Sequence, residues 1–299
     1  MRFVEKCIDC SKRQGKRIYD LSLTQIDKQP SQTETEAFYQ ELDDKLENAD
    51  PQMSPAGLTL IAIRMAERHA GVDDPFKDIK IQNNDMAMEL YDELNAKIKD
   101  SSNPLHLACQ LAACGNIIDL GIHDDFDIQA TIEQVLREGF KHDDFAEFVR
   151  QCDELKKKSD PAKLLYLCDN AGEIVFDRLF IEELKRQYPE LQITAVVRGI
   201  PVLNDATMED ARTVGLDQVV PVIDNGKAEL GTVIEKLTNR LRDDFLSADI
   251  IISKGQANYE TLCSRSENIF FILKAKCEVV AQRIGVELWD AVMVHNELD

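Results

Sequence analysis

The sequence predicts an α/β protein: an all-helical N-terminal domain over residues 1–158, then a three-layer α/β/α, Rossmann-like domain over residues 159–299 with a largely parallel sheet. Two observations predict it. Up to about residue 155, apolar residues recur at three- and four-residue spacings, the period of amphipathic helices. After "KKKSDPAKLL" the period changes, and short apolar runs alternate with amphipathic stretches, the pattern of βαβ units in a sheet covered on both faces.

The helices follow in order. Ser54-Pro55-Ala56 is a start signal, a Ser N-cap with Pro in the first turn, and "GLTLIAIRMAERHAG" runs from it to a stop at Gly71. "DDPFKDIK" opens a second helix, and "MAMELYDELNAKIKD" carries helical spacing. "LHLACQLAACGNIIDLG" is almost continuously apolar, which predicts a buried helix; "TIEQVLREGF" and "DDFAEFVRQCDELKKK" complete the helical half. Five runs then read as strands: "KLLYLCD", "QITAVVRG", "QVVPVID", "ADIIISKG" and "IFFILKAK". Between them lie helices such as "EIVFDRLFIEELKRQ" and "TMEDARTVG", the latter opened by the capping box Thr207-x-x-Asp210.

Composition narrows the function. With 44% apolar and 30% charged residues the chain is a globular protein, and its longest apolar runs are too short to span a bilayer. The N-terminus, "MRFVEKCIDCSKRQGKR", lacks the apolar core of a signal peptide, so a cytoplasmic location is expected. A net charge of −20 argues against nucleic acid as a partner and makes each cation near a ligand site informative. No G-x-x-x-x-G-K-[ST] or G-x-G-x-x-G follows a strand, which disfavours P-loop hydrolases and dinucleotide or adenosylmethionine binders. The first strand ends Asp169-Asn170-Ala171, not Asp-x-Asp, so the haloacid-dehalogenase pattern is missing.

In open parallel sheets ligands bind outside the carboxyl ends of the strands. Those ends deliver Asp169 and Asn170, then Arg198, then Asn204 and Asp205 ahead of Thr207, then Lys254, then Lys274 and Lys276. Asp169, Asn170 and Asp205 are hard oxygen donors suited to Mg²⁺ or a similar ion. Arg198, Lys254 and Lys276 are cations on the same rim. A single Asp-Asn after a strand is more often a turn, and a single Lys there is more often solvated. The coincidence of several on one edge points instead to phosphoryl transfer, whose transition state spreads negative charge over non-bridging oxygens.

Beyond this reading, "CDNAGE" after a strand, "PVLNDAT", "KGQANYETL" and "LKAKC", with "GNIID" in the helical half and "CIDC" at the start, resemble the metal-dependent damage-control phosphatases, formerly a family of unknown function. The cysteine-containing N-terminus resembles their prokaryotic and plant-type subfamily. The resemblance implies the same helical domain against an α/β/α domain, and a divalent ion (Mg, Mn, Co or Ni) on Asp169, Asn170 and Asp205. It implies hydrolysis of small phosphomonoesters: sugar phosphates or damaged phosphorylated metabolites. Lys254 is then the Lys of the "KG…NY" motif, and Asn258 its Asn, beside substrate. The Gly-Asn of the helical half falls on Asn116, with Asp119 one turn on, expected to reach the pocket from the other domain. Lys254 and Arg198 are expected to neutralise the phosphoryl group, with Lys276 in support. Asp205 or Glu173 is the expected general base, and Asp169 holds the ion or attacks phosphorus.

The rival readings are a non-hydrolytic binder of a phosphorylated metabolite, and an adenosylmethionine-dependent carboxyl methyltransferase, against which the absent Gly-rich loop counts. The eight cysteines, Cys7-x-x-Cys10 among them, read as reduced thiols, because half a zinc site needs a second pair. These patterns do not set an oligomeric state.

Overall fold

The computed structural model describes residues 1–114, 128–227 and 229–296. Helices α1 (Glu5–Gln25), α2 (Gln32–Glu47), α3 (Pro55–Ala70), α4 (Lys77–Glu89), α5 (Tyr91–Asp100), α6 (Pro104–Cys114) and α7 (Ile128–Glu138) precede a two-residue strand β1 (His142–Asp143) and α8 (Phe145–Leu155). There follow β2 (Lys163–Leu167), α9 (Glu173–Gln187), β3 (Gln192–Val197), α10 (Met208–Thr213) and β4 (Val222–Asp224). The chain continues through α11 (Asn239–Leu246), β5 (Ile250–Lys254), α12 (Gln256–Leu262), β6 (Ile269–Lys274), α13 (Glu278–Ile284) and β7 (Ala291–His295).

Local chemistry sets these boundaries as the sequence predicts. Ser54 Oγ accepts from the Gly57 N–H at 3.0 Å, and Gly71 closes α3 at φ +76°. Thr207 and Asp210 form the reciprocal capping box of α10. Two expectations change. "MAMELYDELNAKIKD" is not one helix: α4 ends and α5 begins around Leu90. "QVVPVID" forms a strand only from Val222, because Pro221 has no N–H to give a neighbour; its carbonyl still accepts from Ala195 at 3.0 Å.

The sheet has the order β1-β7-β6-β5-β2-β3-β4. Strands β2 to β6 are mutually parallel, and β7 runs antiparallel to β6. Both faces are buried, with period two. Leu164, Tyr166, Ile250, Ile252, Phe270 and Ile272 face one apolar cluster, which also takes residues of α5, α6, α8 and α9. Leu165, Leu167, Ile251, Ile269, Phe271 and Leu273 face a second, with α11, α12 and α13. The first cluster spans residue 158, joining helices before it to strands after it. Helices α1 to α3 hold a third cluster, extended by Val202 and Leu230. There a Cβ on Gly15 would meet the Ala62 Cβ at 3.0 Å, so α1 and α3 pack nearly backbone to backbone.

From β2 the chain builds outward to β3 and β4, then returns to the other side of β2 with β5 and β6. The sheet therefore reverses direction between β2 and β5. The crevice outside the carboxyl ends of those two strands is where such sheets bind ligands.

Candidate active site

Asp169 and Asn170 leave the end of β2 at that crevice. Their loop is tied to the one after β3 by backbone bonds: the Ala206 N–H donates to the Asp169 carbonyl at 2.7 Å, and the Ala171 N–H to the Asn204 carbonyl at 2.8 Å. Asn170 and Asp205 are paired as an antiparallel bridge, and Arg198 with Thr207 as a parallel one. The residues flanking the acids are thus locked by main chain, and the Asn170 amide adds a side-chain bond, donating to Asp169 Oδ2 at 3.1 Å. Asp169, Asn170 and Asp205 are all buried.

Gly172 then opens α9 at φ +79°, and its N–H donates to Asn84 Oδ1 at 2.7 Å. Asn84, from α4, also donates to Asp210 Oδ1 at 2.8 Å, so one buried amide pins the start of α9 to the start of α10. Gly255 follows β5 at φ +80° and ψ 163°, a backbone region almost reserved for glycine. The Asp169 carboxylate lies directly against it: a Cβ there would fall 1.9 Å from Asp169 Oδ2.

Two buried cations at the crevice, Arg198 and Lys254, both point inward. Arg198, 4% exposed, donates from Nε to Asp205 Oδ2 at 2.6 Å, and from its remaining nitrogens to the Gly231 carbonyl at 2.6 Å and Asn258 Oδ1 at 3.5 Å. Asn258 in turn donates to the Lys254 carbonyl at 2.7 Å and accepts from Thr232 Oγ1 at 2.8 Å. Lys254, fully buried, gives its three hydrogens to Glu173 Oε1 at 2.5 Å, Asp177 Oδ1 at 2.6 Å and the Ala112 carbonyl at 2.7 Å. Although burial opposes it, Asp177 and Glu173 hold the Lys254 ammonium above its ordinary value. As placed, Lys254 and Arg198 therefore hold carboxylates, where the sequence predicts contact with a phosphoryl group. Asn258 sits behind Arg198 in the same way.

Burial, and then the charges of Asp205 and Glu173, push the Asp169 carboxyl well above the usual carboxylate range; Arg198 and Lys276 pull it back. Burial raises Glu173 too, against the pull of Lys254.

A cleft of about 860 Å³ opens over this floor, with Asp169, Asn170, Asp205 and Lys276 among its lining residues. Arg198, Lys254, Glu173 and Asn258 lie behind that surface. The expected Asn116 and Asp119 fall outside the described residues. The opposite wall is α1, from which Lys6, Cys10, Arg13 and Arg17 face the cleft. The N-terminus anchors that wall: the Met1 ammonium donates to the Glu260 carbonyl, and the Phe3 N–H to the Met53 carbonyl at 3.0 Å. Sequence reasoning missed α1, Asn84 and Asp177. The available signals were the basic run "KRQGKR" in a chain of charge −20, and polar residues at the buried positions of α4 and α9.

The donor set fits a hard divalent cation. Two carboxylates and an amide, buried close together, would offer such an ion hard oxygen donors and negative charge. Among the described residues, no three His, Cys, Asp or Glu side chains converge as a metal site. Among the described residues, no helix is long and apolar enough to cross a membrane.

This geometry has close relatives. Residues 3–292 match the model of the damage-control phosphatase ARMT1-like domain. The chain is 36% identical over 228 residues to a damage-control phosphatase of Archaeoglobus fulgidus, covering 74% of this chain and 76% of that one. It is 30% identical over 301 residues to a damage-control phosphatase of Pyrococcus horikoshii, covering 99% of each. An uncharacterised protein of Methanocaldococcus jannaschii is 36% identical over 80% of this chain and 79% of its own. The crystal structure of a DUF89 family protein from Pyrococcus horikoshii superposes with a TM-score of 0.85 at 28% identity, over 99% of this chain and 100% of that one. A match this long, on a fold whose crevice gathers the motif residues at one point, makes the chain a member of the damage-control phosphatase ARMT1-like family.

Proposed function

We propose that this protein hydrolyses small phosphate monoesters, using a divalent ion held by Asp169, Asn170 and Asp205. The observation that carries the reading is the convergence of those three buried oxygen donors on the floor of one cleft, at the point where the sheet reverses direction. When bound, such an ion supplies charge for the non-bridging oxygens and acidifies a water.

The chain's own residues prepare the rest. Arg198 fixes the Asp205 carboxylate through Nε at the cleft floor. Gly255 admits the Asp169 carboxylate against the backbone, where any side chain would displace it. Lys276 lines the same cleft and its charge reaches Asp169, which supports reading it as a contact for a phosphoryl oxygen. Glu173, held through Oε1 by Lys254, turns Oε2 toward the Asn170 amide at 3.4 Å; it orients that amide and is the reserve proton acceptor beside Asp205.

The test is a panel of phosphate esters assayed with and without Mg²⁺, Mn²⁺, Co²⁺ or Ni²⁺. Phosphate release that EDTA abolishes, and that Asp169→Asn lowers at least about a hundredfold at saturating metal, is the expected result. Full activity in Asp169→Asn refutes the assignment. Tight binding of esters without release would mark a metabolite-binding protein instead.

A further inference from the structure

The floor of the cleft leaves an imbalance on its opposite wall. Helix α1 turns a stripe of residues to the cleft, Lys6, Cys10, Arg13, Arg17 and Leu21, at helical three- and four-residue intervals, with Asp9 the one acid of the helix among its cleft-lining residues. The segment is basic in an acidic chain: residues 1–17 hold Arg2, Lys6, Lys12, Arg13, Lys16 and Arg17 against Glu5 and Asp9, while the whole chain carries −20. Most cations of α1 have a partner. Lys6 pairs with Glu278 across the cleft mouth at 2.8 Å, and Lys12 with Asp43 at 3.0 Å and Glu47 at 2.7 Å on α2. Lys16 sits 4.4 Å above the Tyr39 ring centroid.

Arg13 and Arg17 differ. Both are exposed and line the cleft, and neither forms an ion pair or hydrogen bond with the described residues, although Asp9 and Asp20 lie one turn away. Four residues apart on one face, their Cα atoms are separated by one turn, about 6 Å, which lets two guanidinium groups close on a single anion. Ile18, Leu203, Leu230 and Phe76 supply apolar lining to the same cleft. At about 860 Å³, its volume is near the upper end for small-molecule sites.

We propose that Arg13 and Arg17 form a second anion subsite, and that the preferred substrates carry two anionic groups. One is the phosphate ester at Asp169, Asn170 and Asp205; the other is a phosphate or carboxylate at α1, joined to it by a spacer that tolerates apolar surroundings. The choice of which end is cleaved rests on the phosphatase reading, whereas the two-point binding does not. Substrates with one charged end would occupy only the floor. This subsite selects for length and charge; the chemistry stays with the floor.

The experiment uses alkane-α,ω-diol monophosphates and bisphosphates with three to eight carbons. Binding is followed by calorimetry with Mg²⁺ present, and phosphate release is measured in parallel. In the wild-type chain the bisphosphate of the matching length binds at least about tenfold more tightly than its monophosphate, a preference that fades as salt is raised. Arg13→Ala/Arg17→Ala brings that ratio close to one. Lys12→Ala/Lys16→Ala removes the same charge from another face of α1 and keeps the ratio. The subsite is refuted if no chain length shows a bisphosphate preference, or if the arginine double variant retains it while melting normally. A bisphosphate preference without phosphate release refutes the phosphatase reading alone. Release without that preference refutes the subsite alone.

Discussion

Replacing Gly255 by alanine isolates the closest contact in the site. At φ +80° and ψ 163° an alanine backbone costs about 1–3 kcal/mol. The new Cβ would also stand 1.9 Å from Asp169 Oδ2 and 2.2 Å from its Cγ, well inside van der Waals contact, so the carboxylate must retreat by more than 1 Å. Asp169 is held by its backbone bond to Ala206, and its neighbour Asn170 is bridged to Asp205, so the loop cannot absorb that shift without breaking the bridge. A loss of about 4 kcal/mol in stability follows, with a fall in phosphatase activity of about a hundredfold or more, the usual effect of misplacing a reacting group by 1 Å. Gly285→Ala is the control. That residue closes α13 at φ +85°, and a Cβ added to it would meet nothing within 4 Å, so the change costs only about 1 kcal/mol and leaves activity intact. Urea unfolding and ester hydrolysis measured on both variants give the comparison. If Gly255→Ala behaves like Gly285→Ala, Asp169 does not occupy the position assigned to it.

Two further outcomes test the buried charges. Lys254→Met leaves Glu173 and Asp177 buried without their cation, and should destabilise by about 3–5 kcal/mol. Adding Glu173→Gln and Asp177→Asn should restore more than half of that in urea unfolding; a triple variant no better than the single one would contradict the ion cluster. Glu260 lines the cleft, and burial lifts its carboxyl from 4.5 to about 7, against the pull of Gln256 and of the N-terminal ammonium. The neutral acid is therefore favoured by folding, so its contribution is full below pH 4.5 and is lost as pH rises to about 7. Glu260→Gln, which cannot ionise, should gain about 3 kcal/mol relative to wild type between pH 4 and pH 8. Parallel stability profiles over that range would show that Glu260 is not held neutral.

The legible parts of the molecule were those fixed by local chemistry. Ser54, Gly71 and the Thr207–Asp210 box mark helix ends through bonds to residues three or four away, so sequence spacing suffices. Asp169, Asn170 and Asp205 could be brought to one rim only because several polar residues coincide after successive strands; each alone reads as a turn. The directions of Lys254 and Arg198 were not legible. Strand position places a Cα at the rim, but Lys254 is turned inward by Glu173, Asp177 and Ala112, as much as 142 residues away. Arg198 is likewise turned toward Gly231 and Asp205. Strand β7 was missed because the short run "AVMVH" does not sit between two amphipathic helices as the other strands do, and β1 because two residues carry no period. The basic face of α1 carried no functional reading, since nothing local says that a cleft lies across from it.

Floor and wall of the cleft draw their rigidity from different hydrophobic clusters. The acids hang from strands of the sheet, whereas Arg13 and Arg17 ride on a helix whose core is shared with α2 and α3. Substitutions in that core away from Val202 can redecorate α1 while the acids keep their register, whereas changes against Val202, whose carbonyl accepts from the Asp205 N–H at 3.1 Å, reach the floor directly. With Arg13 and Arg17 selecting the substrate as proposed, changes in ester preference among relatives should concentrate in the first seventy or so residues.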